Sequence, residues 1–407
     1  MTQFGVLRAP RSVVFGMGQR RALGRAAREL GRKAFICTDA RLGAEPVLRE
    51  MVDDLTAHGL SVKVYDRTIA ELPLACIDEA LAAASGFGAD LVIGVGGGSC
   101  MDVAKIVALI LAHGGHAREY YGEHKVPGPT CPVIAVPTTA GTGSEVTPVA
   151  VLGDPEREMK VGISSPHLIP HTAICDPELT FSCPRQLTAV SGADALTHAI
   201  EAFTAIERPA TPTLAYDHVF VGKNILSDAW ALEAIRLITL SLRRAVEDGD
   251  DGAARSDVMR GALLAGLAFG SAGTAAAHAI QYPVGALTHT PHGAGVASLM
   301  PYVMQFNRQA CPGAYAEIAT AMGIPDRGEG VDARAQAAID AVAELVGAIG
   351  IPKTLADLGF PADRIDWAAE QSLASQRLIK NNPRPLDVAA LRTIVTAAHG
   401  GSFEALR

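Results

Sequence analysis

The sequence predicts an α/β protein in two parts: an N-terminal domain with a doubly wound parallel sheet and an all-α C-terminal domain. Over roughly the first 180 residues, short β-type runs alternate with helical stretches, which is typical of parallel strand pairing. Beyond them, Ala- and Leu-rich segments follow at helical spacing. A chain of 407 residues is also longer than a single hydrophobic core usually accommodates. We therefore predict a dinucleotide-binding domain at 1–185 and a helical domain at 186–407.

Four strands are predicted in the N-terminal domain, with helices between them. The third and fourth strands run directly into Gly- and Thr-rich loops. The predicted strands, with their loops, cover residues 33–39, 60–66, 89–99 and 132–145. The predicted helices cover residues 44–59, 77–88, 100–114, 227–248 and 332–350.

Composition excludes several classes of protein. The chain has 35 basic and 43 acidic residues, a net charge of -8, and no basic run, which argues against a nucleic-acid partner. The seven cysteines are scattered without a CxxC pair, so we expect neither a zinc ribbon nor a disulfide framework. The first residues lack the apolar stretch of a signal peptide, and no apolar run reaches the roughly 20 residues that span a bilayer. We expect a soluble, cytoplasmic protein with no membrane partner.

A glycine-rich turn follows the third predicted strand. Residues 94–99 read Gly-Val-Gly-Gly-Gly-Ser between an apolar strand and a helix. Glycines let backbone N–H groups approach a phosphate closely, and a helix N-terminus favours negative charge. The spacing is not the GxGxxG of the common dinucleotide fingerprint, so a simple tight turn is the alternative. The strand before the turn and the helix after it favour a pyrophosphate site.

Two further segments at strand ends are candidates for the same cofactor. Asp39 follows the first predicted strand, where a carboxylate can accept hydrogen bonds from ribose hydroxyls and repel a 2′-phosphate. The alternative for Asp39 is a helix N-cap. Residues 137–147 supply threonine hydroxyls and glycines after the fourth strand, where such sheets bind ligands. The alternative for that segment is a structural turn.

The predicted helical domain carries a carboxylate and several imidazoles. Asp194 and His198 have i, i+4 spacing, so both side chains leave the same face of a helix. His278, His289 and His292 follow in an Ala- and Gly-rich segment. A single histidine is more often a hydrogen-bonded core residue than a ligand. One carboxylate with two or three imidazoles, however, suits a divalent transition metal, which would also partner a buried aspartate.

These motifs together resemble the iron-containing (group III) alcohol dehydrogenases. The resemblance rests on residues 96–105 (GGGSCMDVAK), residues 138–147 (TTAGTGSEVT), the Asp194/His198 pair and the His278/His292 spacing, and it extends over nearly the whole chain. It implies a dehydroquinate synthase-like architecture. It also implies an oxidoreductase acting on CH–OH groups, which transfers a hydride between NAD and a small primary alcohol, diol, hydroxy acid or aldehyde.

The resemblance assigns roles residue by residue. It implies four metal ligands, namely Asp194, His198, His278 and His292. It implies cofactor contacts from Asp39, Gly96, Gly97, Gly98, Ser99, Asp102, Thr138, Thr139, Thr142 and Lys160. The position of Asp39 is the one linked to a preference for NAD over NADP. One divalent metal is expected to act as a Lewis acid on the substrate oxygen. The family implies Fe(II), although Zn(II), Ni(II) and Co(II) suit the same donors.

The chain departs from the family pattern at two places. Tyr282 stands where many members have a further histidine, and we predict that it is catalytic. A phenol, with a pKa of about 10, differs from an imidazole, so Tyr282, His289 and solvent stay open as proton relays. Residues 211–224 form an insertion. The insertion and the Tyr282–Pro283 pair are similar to the hydroxyacid–oxoacid transhydrogenases, which exchange a hydride between 4-hydroxybutyrate and 2-oxoglutarate through tightly held NAD. That activity is the alternative function.

Other functions fit the residues less well. Glycerol dehydrogenases and dehydroquinate synthases share the general plan, but the complete ligand set and the threonine loop favour the alcohol dehydrogenases. A non-catalytic dinucleotide-binding protein would have no need of all four ligands. We expect the assembly to be a homodimer or a higher homo-oligomer.

Overall fold

The computed structural model describes residues 3–157 and 160–406 and divides the chain into two compact units. The α/β unit comprises Arg8–Ser182 and Tyr216–Val219. The helical unit comprises Met1–Leu7, Cys183–Ala215 and Phe220–Arg407. The predicted fold class, a parallel sheet with helices followed by an all-helical region, is confirmed.

The α/β unit contains a six-stranded sheet in which every neighbouring pair of strands is parallel. In the order of the sheet, its strands are β1 (Ser12–Phe15), β9 (Thr172–Cys175), β6 (Val133–Pro137), β4 (Leu91–Gly96), β2 (Lys33–Cys37) and β3 (Ser61–Tyr65). The four predicted strands correspond to β2, β3, β4 and β6, whereas β1 and β9 were not predicted. A small second sheet has the order β5 (Gly122–Glu123), β8 (Val161–Ser164) and β7 (Val149–Leu152).

Helices cover both faces of the six-stranded sheet. Along β4, Val92 belongs to one apolar core and Ile93 to the other, and both side chains are fully buried. Successive side chains of a strand point to opposite faces, so the alternation places a core on each side. The helices of this unit are α1 (Leu23–Leu30), α2 (Ala40–Gly43), α3 (Pro46–Ala57), α4 (Leu74–Phe87) and α5 (Gly98–His113).

The helical unit begins with a long helix that is buried over most of its length. This helix, α6 (Arg185–Thr204), packs against α8, α9 and α11. The helices that follow are α8 (Ile225–Glu247), α9 (Gly252–Ala272), α10 (Ala276–Thr288), α11 (His292–Asn307), α12 (Pro312–Ala321), α13 (Val331–Ala348), α14 (Ile365–Ser372), α15 (Gln376–Asn381) and α16 (Val388–Gly400). The predicted helices at 227–248 and 332–350 correspond to α8 and α13. A short helix, α7 (Leu214–Asp217), lies in the insertion.

Short 3-10 helices complete the secondary structure of the described residues. They are Gln19–Ala22, Ala117–Tyr120, Ser144–Val146, Pro166–Leu168, Pro177–Thr180, Ala362–Arg364 and Glu404–Leu406.

The chain turns sharply between α9 and α10. Gly273 adopts a φ of 83°, a left-handed conformation that glycine reaches without strain, and the two helix axes differ in direction by 102°. Within residues 3–157 and 160–406, no single helix is both long enough and apolar enough to cross a membrane. The bent pair of α9 and α10 meets those two measures only when both helices are counted together.

Close packing of α8 against α9 requires a glycine. A Cβ atom added to Gly261 would lie 2.5 Å from Ile238 Cγ1 and 3.3 Å from Ala234 O. A Cβ atom added to Gly313, on α12 of the same unit, would have nothing within 4 Å.

We therefore predict that Gly261→Ala lowers the free energy of unfolding by about 1–3 kcal/mol, because the added methyl group overpacks the contact between the two helices. Gly313→Ala is the control, and it should leave stability unchanged or raise it by up to about 1 kcal/mol through its helix propensity. Thermal and urea denaturation measure both effects. Equal melting temperatures for the two variants would contradict this account of the packing.

Candidate functional site

Four side chains from three helices meet inside the helical unit. Asp194 and His198 lie one turn apart on α6, His278 is on α10, and His292 is the first residue of α11. Measured from Asp194 Oδ1, the Nε2 atoms of His198, His278 and His292 lie at 3.7, 3.8 and 3.9 Å. The structure thus brings together all four residues that were predicted to bind a metal, and their role as ligands stays a prediction.

This cluster is closely packed and mostly buried. Asp194, His198 and His278 are each less than 7% exposed, whereas the side chain of His292 is 28% exposed. Asp194, His278 and His292 each offer a ligand atom within 4.8 Å of the other two. The His198 ring stacks between Phe269, at 4.3 Å between centroids, and His278, at 4.7 Å. His292 is therefore the member of the cluster with the greatest access to solvent.

A fifth polar residue, Glu201, was missed by the sequence analysis. Its Oε2 atom lies 2.6 Å from His278 Nδ1 and also accepts a hydrogen bond from Ala275 N at 2.8 Å. Its Oε1 atom accepts from Ala277 N at 2.7 Å. Burial alone would raise the pKa of Glu201, but His278 and the two backbone N–H groups outweigh burial and lower this pKa. Glu201 follows Asp194 by two helical turns on the same face of α6, a spacing that could have drawn attention to it.

The donor atoms of the cluster fit a divalent cation. Because Nδ1 of His278 faces a carboxylate oxygen, it must donate, which leaves a lone pair on Nε2 of the neutral ring. That Nε2 atom is buried and has no hydrogen-bond partner within the described part of the chain. It faces Asp194 Oδ1 at 3.8 Å, so two atoms that carry lone pairs are held close together. A cation between them satisfies both, and three imidazoles with one carboxylate suit a transition metal.

Tyr282 and His289 occupy different environments. The Tyr282 ring stacks with that of His292, with centroids 6.0 Å apart. Burial raises the pKa of Tyr282, and Arg377 acts in the opposite direction. His289 is exposed and ends α10 in a left-handed conformation with a φ of 54°. Tyr282 lies beside the cluster, and neither residue's part in proton transfer is tested by these positions.

In the α/β unit, the glycine-rich turn joins β4 to α5. Gly96 has a φ of 148°, and α5 begins after Gly97 without a side-chain cap on its first N–H groups. A Cβ atom on Gly98 would lie 2.9 Å from Thr142 Cγ2, so glycine lets residues 137–147, here called the second loop, approach the turn. Uncapped N–H groups at the start of a 16-residue helix form a suitable anion site.

Asp39 is a helix N-cap, which was one of its two sequence interpretations, and its contact with a cofactor stays a prediction. Its Oδ1 atom caps α2 by accepting a hydrogen bond from Leu42 N at 2.9 Å. Its Oδ2 atom is directed toward the glycine-rich turn, 4.0 Å from the position that a Cβ atom on Gly96 would occupy. One oxygen therefore serves the backbone, and the other faces the predicted cofactor loop.

Asp102 connects α5 to the second loop by a hydrogen bond. Its Oδ1 atom accepts from Ser144 Oγ at 2.6 Å, and its Oδ2 atom accepts from Val151 N at 2.9 Å. Lys105, one turn later, is fully buried and donates to Thr147 O at 3.1 Å and to Val149 O. The structure thus gives Asp102 a scaffolding role, and its predicted contact with the cofactor is untested.

The other predicted cofactor residues are at the same strand ends or near them. Thr138 N donates to Gly96 O at 3.0 Å, and Thr139 Oγ1 lies 3.6 Å from the position of a Cβ atom on Gly97. Ser99 lies in the first turn of α5. Lys160 forms an ion pair with Glu71, with 2.5 Å between Nζ and Oε2. Contacts of these residues with a cofactor stay predictions.

Glu145 lies in the second loop and is 4% exposed. Burial raises its pKa to about 7, and Lys105 opposes this rise. Burial likewise lowers the pKa of Lys105 to about 8, with Asp102 and Glu145 acting in the opposite direction. The sequence analysis singled out neither as a buried charge.

Comparison with known proteins identifies the family. Residues 10–177 match the iron-containing alcohol dehydrogenase family, and residues 188–399 match the C-terminal domain of the Fe-containing alcohol dehydrogenases. The chain therefore belongs to the iron-containing alcohol dehydrogenase family, and it is an oxidoreductase of the alcohol dehydrogenase class. The resemblance stated from the sequence motifs is confirmed.

Three similar proteins illustrate the match. Long-chain-alcohol dehydrogenase 1 of Geobacillus thermodenitrificans is 38% identical over 92% of each chain. The NAD-dependent methanol dehydrogenase of Bacillus methanolicus is 33% identical over 98% of this chain and 100% of its own. The crystal structure of a 1,3-propanediol oxidoreductase superposes with a TM-score of 0.91 at 33% identity, covering 97% of this chain and 100% of that one.

The raised pKa of Glu145 predicts a pH-dependent stability difference. The folded state holds the proton up to about pH 7, whereas an ordinary glutamate releases it near 4.5, so stability falls as pH rises between these values. The cost at pH 8 is on the order of 3 kcal/mol. Glu145→Gln removes this cost, so its melting temperature relative to wild type should rise between pH 5 and pH 8. The same substitution at the exposed Glu29 is the control, and a difference for Glu145→Gln that does not change with pH would contradict the assignment.

Proposed function

We propose that this protein is a metal-dependent, NAD-linked alcohol dehydrogenase and aldehyde reductase that acts on small primary alcohols, diols or hydroxy acids. The observation that carries the proposal is the cluster of Asp194, His198, His278 and His292, in which three Nε2 atoms lie 3.7–3.9 Å from one carboxylate oxygen. Three imidazoles around one buried carboxylate are a donor set that suits a divalent transition metal. It agrees with the chemistry of the family.

The four residues would hold one divalent metal, and Fe(II) is the metal that the family name favours. When bound, a divalent ion supplies Lewis-acid chemistry, which favours the alkoxide form of an alcohol and polarises an aldehyde carbonyl. Asp194 contributes the negative charge of the donor set, and Glu201 holds the His278 ring in place. Phe269 stacks on His198 at 4.3 Å and excludes water from that side.

The α/β unit would bind NAD. The uncapped N–H groups at the start of α5 suit a pyrophosphate, and Asp39 Oδ2 beside the turn suits a ribose hydroxyl. When bound, the nicotinamide supplies the hydride acceptor or donor. The similar methanol dehydrogenase named as NAD-dependent supports this choice of cofactor.

The decisive experiment follows NADH in the near-UV with metal-loaded protein, NAD and a panel of primary alcohols, diols and 4-hydroxybutyrate. We expect turnover of simple alcohols or diols that a chelator abolishes and a divalent metal restores. Consumption of 4-hydroxybutyrate that requires 2-oxoglutarate and releases no NADH would replace the proposal with the transhydrogenase activity. Tight NAD binding without any hydride transfer would indicate a binding protein.

Removal of a ligand should abolish metal binding and activity together. We predict that His278→Ala and His292→Ala each lose bound metal and at least roughly 100-fold in kcat/KM, because even indirect partners of ligands cost up to this much. Elemental analysis and initial rates measure the two effects. His399→Ala, in the same unit but bonded to Phe360 O at 3.0 Å, is the control and should keep both. Full activity of a metal-free variant would refute the metal mechanism.

The charge of Asp39 should select NAD against NADP. Asp39→Asn keeps an oxygen for Leu42 N but removes the charge, so the ratio of kcat/KM for NAD to that for NADP should fall at least about tenfold. Asp39→Gly removes the cap as well and should also lower the free energy of unfolding by a few tenths of a kcal/mol. If neither variant changes the cofactor ratio, Asp39 is only a cap.

A further inference from the structure

A buried carboxylate joins the start of α10 to the cluster of predicted metal ligands. Glu201 is 1% exposed, and its two oxygens receive three N–H donors: Ala275 N at 2.8 Å, Ala277 N at 2.7 Å and His278 Nδ1 at 2.6 Å. The first N–H groups of a helix have no partner within the helix and must be satisfied from outside. Glu201 thus caps α10 and binds the imidazole of its third residue.

This arrangement permits only one tautomer of the neutral His278 ring. Glu201 accepts from two backbone N–H groups, and an ionised carboxylate has no proton to donate, so it can only accept from Nδ1. The proton is then on Nδ1, and the lone pair is on Nε2, which faces Asp194 Oδ1 at 3.8 Å. The ring is also fixed in rotation, since its Nδ1 bond and its stacking with His198 at 4.7 Å act on different sides.

We propose that Glu201 is a positioning residue that holds His278 with its Nε2 lone pair directed at the metal, and that it thereby sets the affinity of the site for its divalent ion. This inference rests on the proposed function. Glu201 also supplies a second buried negative charge beside Asp194, and two carboxylates with three neutral imidazoles balance the charge of a divalent ion. A residue that served only as a helix cap would have no such effect on the metal.

A glutamine at position 201 cannot replace the carboxylate. An amide has one acceptor oxygen, and its NH₂ group would face either a backbone N–H group or the Nδ1–H group of His278. Glu201→Gln therefore leaves at least one donor unsatisfied and removes the second negative charge, while keeping the size of the side chain. Glu201→Asp keeps the charge but is one methylene shorter.

The test uses the full chain, freed of metal by a chelator and titrated with Zn(II) against a competing chromophoric chelator. Wild type should bind one equivalent, and Glu201→Gln should bind roughly 10- to 100-fold more weakly. Co(II) provides a second reading, since its visible ligand-field bands should change in the variant if His278 is displaced. Neither measurement depends on catalytic activity.

A matched control separates metal positioning from general loosening of the turn before α10. Asn381 Nδ2 donates to Ala272 O at 3.0 Å and to Thr274 O at 3.1 Å, so Asn381→Leu disturbs the same turn from its other side. This variant should lower the melting temperature of the metal-free protein and leave the Zn(II) affinity unchanged. If it weakens Zn(II) binding as much as Glu201→Gln does, the effect belongs to the turn and the inference is overturned.

The remaining outcomes are also distinguishable. Zn(II) affinity of Glu201→Gln within threefold of wild type overturns the inference but leaves the proposed function intact. Failure of wild type to bind Zn(II), Co(II) or Fe(II) overturns the proposed function itself. If Glu201→Gln and Glu201→Asp do not fold, ¹⁵N NMR of histidine-labelled wild type decides the matter. A proton on Nδ1 of His278 in the metal-free protein supports the inference, and a proton on Nε2 refutes it.

Discussion

The packing of the helical unit depends on one buried carboxylate. Asp194 lies in the middle of α6 and is 4% exposed, where an ionised group is costly unless charge or hydrogen bonds compensate it. Helices α10 and α11 bring His278 and His292 to within 3.9 Å of Asp194 Oδ1. Gly293 makes this approach possible, because a Cβ atom there would lie 2.4 Å from Val190 O and 3.0 Å from Asp194 Cβ. The same close contacts between these helices therefore determine both their packing and the geometry of the candidate metal site.

The α/β unit also contains a buried charge, and backbone groups compensate it. Lys105 is fully buried, and two backbone carbonyl oxygens and Asp102 surround its ammonium group. These bonds fix α5 to β7 and to the second loop. The first N–H groups of α5 keep no side-chain cap. A rigid scaffold with an uncapped helix N-terminus suits a phosphate-binding site, since the N–H groups need little reorganisation on binding.

Elements and spacings within a short segment can be predicted from the sequence, whereas contacts between residues far apart in the chain cannot. Four strands were predicted from β-type runs of five or more residues, whereas β1 and β9 have four residues each and little pattern to detect. The i, i+4 spacing of Asp194 and His198 indicated a shared helix face. Glu201 lies on that face too, but its partner His278 is 77 residues further along the chain, so spacing reveals nothing about their bond. The burial of Lys105 is equally hidden, because its carbonyl partners lie 42 and 44 residues away.

Three carboxylates of this protein contact both the backbone and one of the candidate site segments. In Asp39, Asp102 and Glu201, one oxygen accepts from a backbone N–H group, which holds a helix or a strand in place. The other oxygen faces the glycine-rich turn, accepts from the second loop, or faces a histidine of the predicted ligand set, and in Glu201 it also accepts from Ala275 N. A hydroxyl has a single oxygen, and an amide has one acceptor oxygen and no charge. A carboxylate alone offers acceptors on both sides, so local folding and the candidate site depend on the same side chains.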